Sequence, residues 1–200
     1  MTPGHFFFLV AVFAFLTGCG GTEPDFPTDQ SVEYRIVSVS DVSFAGRKRY
    51  SANIAAPGAV TFEQRAQTAL KAAADIREAR NADVVTVFLL ISPALKGFPL
   101  AIADYAPDSL GWTGDRPLRN GTWEAEATNE VFSETMIKIA ELWYQHKVKF
   151  QVDDGFGDKK TDEEAVKKYI AGVMNIDPGE VDLVPFIVKV TTTRKEYTPK

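Results

Sequence analysis

The sequence predicts an α+β protein, with a mostly antiparallel sheet of five to six strands and about three helices packed on it, in the order ββαβββααβ. Three observations carry that prediction. Short β-branched stretches bounded by Gly, Pro and Asn recur along the chain, as hairpins require. Two capping-box patterns, Thr61 to Gln64 and Thr161 to Glu164, each precede an apolar stripe at helical spacing. One nearly all-apolar run of strand length, Val84 to Ile91, lies between them.

The elements follow in order. Val32 to Val42 reads as a strand, and Ser43-Phe44-Ala45-Gly46 as a turn. Arg47 to Ala55 alternates, with Tyr50, Ala52 and Ile54 on one face and Arg49, Ser51 and Asn53 on the wet one. From the first capping box a helix runs to about Arg80, with Phe62, Ala66, Ala69, Ala73 and Ile76 buried and Asn81 as its C-terminal cap. Val84 to Ile91 is the central strand, covered on both sides. Ser92 to Phe98 is a loop and Pro99 to Ala106 a further strand. Pro107 to Asn120 is a long loop holding Trp112, and Gly121 to Ala127 a short strand.

Asn129 to about Lys149 is the longest helix, with Phe132, Met136, Ile139, Ala140 and Trp143 inward. A loop over Asp153 to Asp158 leads to a helix from the second capping box to about Met174, with Val166, Tyr169, Ile170 and Val173 inward. Asp177 to Glu180 is a turn, Leu183 to Thr191 the last strand, and Thr192 to Lys200 a polar tail.

The first nineteen residues carry a different message. FFFLVAVFAFL, residues 6–16, has the length of a signal-peptide core and is short for a membrane span. Leu16-Thr17-Gly18-Cys19 follows, and then a Gly-Gly-Thr-Glu-Pro spacer. This arrangement resembles the lipobox of bacterial lipoproteins, although Met1 to His5 contain no Lys or Arg. The resemblance implies cleavage after Gly18, lipidation of Cys19, and a place in the bacterial cell envelope facing the periplasm. Gly20, where Asp would mark retention, favours the outer membrane by the same resemblance. The alternative is an ordinary secretory signal or short anchor with Cys19 incidental. The body also loosely resembles small α+β domains of uncharacterised envelope lipoproteins, in element order alone. The expected layout is a signal peptide over residues 1–18, lipidated Cys19 with a flexible tether over 19–31, one globular domain over 32–192 and a tail over 193–200.

Composition narrows the chemistry. The net charge is −5 and there is one Cys. An acidic body has no footprint for nucleic acid. With Cys19 lipidated, no thiol remains for a disulfide, a thiolate metal site or a Cys nucleophile. No Gly-x-Gly-x-x-Gly or phosphate loop supports a nucleotide, so no cofactor is expected.

The one His beyond the leader, His146, reads as a cation near a helix C-terminus, and no Gly-x-Ser-x-Gly elbow exists to make a triad with it. Asp153, Asp154, Asp158, Asp162, Glu163 and Glu164 crowd one segment, but EF-hand spacing fails at Gly155 and Gly157, so no metal is expected there. Asp104, Glu124 and Glu126 suggest a carboxylate-dependent envelope hydrolase as an alternative function. The leading expectation is a non-enzymatic, lipid-anchored binding or accessory module. Its partners would be the membrane, through Cys19, and an envelope protein or wall component, with Trp112, Asp115, Arg116 and Trp123 as contact residues.

Overall fold

Two seven-residue strands, β1 (Arg35–Asp41) and β2 (Arg49–Ala55), form the expected antiparallel hairpin, with Ile36 opposite Ile54 and Asp41 opposite Tyr50. The computed structural model describes residues 26–182 and the backbone of Thr193–Arg194. Helix α1 (Phe62–Arg80) opens on a complete capping box. The Thr61 hydroxyl accepts the Gln64 N–H at 3.2 Å, and Gln64 Oε1 accepts the Thr61 N–H at 3.1 Å. It ends where Asn81 enters the left-handed region at φ 49°.

α1 links β2 to β3 (Val84–Leu90), so those two strands run parallel, in register from Arg49 opposite Val84 to Ala55 opposite Leu90. Then β4 (Pro99–Tyr105) and β5 (Trp123–Ala127) add antiparallel strands. After α2 (Glu134–His146) and one 3-10 turn (Lys147–Phe150), β6 (Gln151–Asp153) and β7 (Lys159–Thr161) make a separate hairpin. α3 (Glu163–Met174) follows, and Pro178–Glu180 is a 3-10 turn. β8 (Thr193–Arg194) pairs with β5, and the main sheet has the order β1-β2-β3-β4-β5-β8. This is the α+β architecture expected, with three helices and one parallel pair in a mostly antiparallel sheet.

One face of the sheet is the core. Ala52, Ile54, Val85, Val87, Leu89, Ala101, Ala103, Trp123, Ala125 and Ala127 meet α1, whose Ala66, Ala69, Ala72 and Ala73 let it lie close. Leu70, fully buried among them, contributes about 2–3 kcal/mol by its removal from water. The other face is only partly covered: Thr86 and Phe88 of β3 are half-buried, in place of the two-sided burial expected of that strand.

α2 and α3 pack on each other through Ile139, Leu142, Trp143, Val166 and Ile170. Ala140 of α2 meets Leu95, so this pair sits at the end of the sheet where β3 turns into β4. A cross-sheet row, Asp41–Tyr50–Val85–Tyr105–Trp123, marks the opposite end.

Several boundaries depart from the sequence reading. Residues 26–31, expected in the tether, are packed onto the body. Phe26 is buried, the Gln30 N–H donates to Gln67 Oε1 at 2.7 Å, and the Val32 N–H donates to Thr68 Oγ1 at 3.0 Å. Those two bonds explain two buried polar side chains on the apolar helix. α2 starts five residues later than Asn129, because Ser133 is the residue whose hydroxyl caps it, accepting the Met136 N–H.

The second capping box fails, since Asp162 caps α3 and Thr161 belongs to β7. Tyr169 and Val173 are exposed where Ala171 is buried, because α3 packs through a narrow stripe, Val166, Ile170 and Ala171, against α2 and the 3-10 turns that flank it. The strand expected over 183–191 lies outside the described residues, as does the segment 1–25. Thr193 and Arg194, expected in the tail, form β8.

Candidate functional site

The long connection from β4 to β5 holds its shape because two arginines of the β2 strand and the preceding turn grip it. Arg47 donates to both Asp108 carboxylate oxygens, at 2.6 and 3.0 Å, and to the Gly111 carbonyl at 2.7 Å. Arg49 donates from Nε to the Trp112 carbonyl at 2.8 Å, from one terminal nitrogen to the Phe44 carbonyl at 2.5 Å, and from the other to the Thr113 carbonyl at 3.4 Å. Arg49 is therefore buried, not on a wet face as its strand position predicted. Its charge is spent on carbonyl dipoles, as a guanidinium fork allows. Gly111 sits at φ 66°, and a Cβ there would lie 2.7 Å from the Arg116 carbonyl oxygen, so this turn requires glycine.

The grip has a pH dependence. The hydrogen bonds from Arg47 hold the Asp108 carboxyl below its usual range, outweighing the opposite pull of partial burial. A depressed carboxylate pKa stabilises the fold above the unfolded value of about 3.9, and that contribution is lost as pH falls through the folded value. The Asp108 side chain is 38% exposed, so screening keeps the contribution below about 1 kcal/mol. The connection is expected to keep its amide protection down to about pH 4 and to lose no more than about fivefold of it below. Asp108→Asn should flatten that profile, which hydrogen exchange would report.

Of the four expected contact residues, the structure exposes three. Trp112, Asp115 and Arg116 lie on the surface of this loop. Trp123 is a correction: it is fully buried, with the Phe26 ring packed edge-on at 6.3 Å. It follows the loop directly and alternates onto the α1 side of the sheet, so it serves the core and cannot touch a partner. Exposed apolar neighbours take its place. Phe44 is 76% exposed and Leu110 42%, beside Trp112 at 36%. Arg49 reaches the carbonyls of both Phe44 and Trp112, which sets the two backbones side by side. Nothing in Arg47-Lys48-Arg49 as a sequence separates this role from a solvated basic run.

The carboxylates do come together. Asp104 lies opposite Glu124, and Glu126 opposite Ile102, on the face away from α1. Thr86 donates its hydroxyl to Asp104, and Arg119 Nε lies 4.0 Å from Glu124 Oε1. They line a hollow of about 110 Å³. Ligand pockets span about 300–1,000 Å³. Hollows of about 420 Å³ beside Tyr34 and about 490 Å³ beside Tyr144 have that size, but each is lined by one carboxylate only.

His146 does not sit in a triad. Its Nε2 lies 3.3 Å from the Tyr169 hydroxyl, and Nδ1 has no hydrogen-bond partner among the described residues. The acidic segment is turned on itself: Asp153 accepts the Gly155 N–H, and Asp154 accepts those of Phe156 and Asp158. Asp162 is the α3 cap, and Glu163 and Glu164 occupy its first turn. Among the described residues no three acidic, His or Cys side chains are placed to hold a metal ion. Nor is any helix among them long and apolar enough to cross a membrane.

Residues 29–187 match the family model described as "Domain of unknown function (DUF4875)". The chain belongs to the DUF4875 family. The match runs from Asp29, in the entry segment, past Asp182, so it takes in the gripped loop, the carboxylate face and the α2–α3 pair. The DUF4875 chain is also similar to a solved structure, the crystal structure at 2.49 Å of a DUF487 family protein from Desulfovibrio piger ATCC 29098. Identity is 28%, the TM-score is 0.65, and the likeness covers 82% of this chain and 94% of that one. No curated protein matches the chain.

Proposed function

We propose that the chain is a lipid-anchored protein of the bacterial cell envelope, periplasm-facing and held by Cys19, with a body that acts as a non-enzymatic binding or accessory module. The observation that carries this reading is the sequence of the leader: an apolar core over residues 6–16, then Leu16-Thr17-Gly18-Cys19 with the chain's single Cys. The contact surface is the gripped loop around Trp112, Asp115 and Arg116. Its rigidity supports that role, since a pre-ordered loop loses little freedom on binding.

Intact mass of the membrane fraction tests the anchor. The expected species starts at Cys19 and carries a diacylglyceryl group, while Cys19→Ser yields none. A mature wild-type chain without lipid would refute the reading. Trp112→Ala is expected to weaken capture of whatever the module contacts, and an unchanged set of captured envelope components would count against the loop.

The alternative is a carboxylate-dependent envelope hydrolase. The meeting of Asp104 with Glu124 on adjacent strands favours it, and the size of their hollow weighs against it.

A further inference from the structure

We infer that the end of the sheet carrying Phe44, Leu110 and Trp112 lies against the lipid headgroups of the membrane that holds Cys19. This inference rests on the anchor proposed above, and it names the partner of the gripped loop as a bilayer surface.

The argument starts from where the chain enters the fold. Phe26 packs edge-on against Tyr105 at 5.5 Å and Trp123 at 6.3 Å. Those two residues face each other across β4 and β5, at the base of the long loop. The entry point is thus at the loop end of the sheet, not at the α2–α3 end. Seven residue steps separate Phe26 from Cys19, a reach of at most about 25 Å when fully extended. A lipid on Cys19 therefore keeps this end within about 25 Å of the bilayer surface, less than the length of a 20-residue helix.

The surface at that end suits the position. Phe44, Leu110 and Trp112 are exposed together on the turn and the loop that Arg49 joins. Tryptophan and its aromatic neighbours settle at the headgroup level of membranes, where one side is apolar and the other wet. Residues 42–49 and 107–121 carry five basic and two acidic side chains, flanked by Asp41 and Asp83, in a chain of net charge −5. That near balance leaves this end without the repulsion from anionic lipid that the net negative charge would bring if it were spread evenly over the surface. A gripped loop also presents its apolar residues at no further ordering cost.

The chain's own tryptophans provide the test. Trp123 is fully buried and Trp143 8% exposed, so Trp112 is the one set to meet lipid. The full-length lipidated protein is reconstituted into vesicles of phosphatidylethanolamine and phosphatidylglycerol containing a phosphatidylcholine brominated at the acyl carbons nearest its headgroup. The expected result is a blue shift and loss of the Trp112 emission, absent in Trp112→Phe. The same blue shift and quenching should persist in Phe156→Ser, which alters an exposed residue at the tip of the β6–β7 hairpin, in the part of the chain around α2 and α3.

A chain with lipid on Cys19 whose emission ignores the bromine would overturn the inference and leave the anchor standing. A chain whose intact mass shows no lipid overturns both. Trp112 shielded from a soluble quencher in native membranes yet untouched by bromine in pure vesicles would assign the surface to a protein partner, and so overturn the bilayer.

Discussion

Replacing Trp123 with Ala should destabilise the protein by about 3–5 kcal/mol, the range for removing a large aromatic from a packed core. The side chain has no exposed surface, lies opposite Tyr105 and receives the edge of the Phe26 ring. Urea denaturation would show the loss as a lower midpoint at unchanged slope. A partner-contact residue would behave in the opposite way, with stability kept and binding lost. The same experiment on Trp112→Ala therefore makes a control: that residue is partly exposed and should change stability little. Equal midpoints for Trp123→Ala and the parent chain would return Trp123 to the list of surface anchors.

Arg49→Ala should be the second largest effect, roughly 2–4 kcal/mol. Charge-assisted hydrogen bonds contribute about 1.5–3 kcal/mol each, and water entering the opened site recovers part of that. Three carbonyls, those of Phe44, Trp112 and Thr113, lose their shared donor. The consequence is local as well as global. The Leu118 N–H, bonded to the Ser109 carbonyl inside the loop, should exchange faster with solvent, whereas amides of β3 should slow or quicken only with global stability. Arg49→Lys should recover little, since an ammonium cannot span three acceptors in a plane. Unchanged protection at Leu118 would mean that the loop orders itself without the grip.

The elements that sequence revealed best are those with a period or a cap. The α1 stripe of Phe62, Ala66, Ala69, Ala73 and Ile76 is buried throughout, and both its caps form. What sequence hid are features without a period. Phe26 is one apolar residue among Pro, Asp and Thr, and only the finished core shows that it has a socket. β6 and β7 are three residues each, with exposed side chains, so no apolar alternation announces them. The stretch before Ser133 stays outside α2 although Val131 and Phe132 continue an apolar pattern, and Val131 ends up exposed.

The site was legible as a loop, from its Pro, Gly, Asp and Asn content. Its mechanics were not. Arg49 and Arg47 act across more than sixty residues of chain, a distance at which a charge in the sequence carries no address.

The bonds that hold the entry segment to α1 also define a load path. A pull on the N-terminal side of Phe26 is taken first by that ring in its socket. It passes next to the Gln30–Gln67 and Val32–Thr68 bonds, and only then to the ladder between β1 and β2. Because Gln67 and Thr68 lie inside α1, tension reaches the helix at the centre of the molecule before it can peel the edge strand. A pull at the N-terminus would therefore have to break three contacts with the core and α1 before it reached the edge strand.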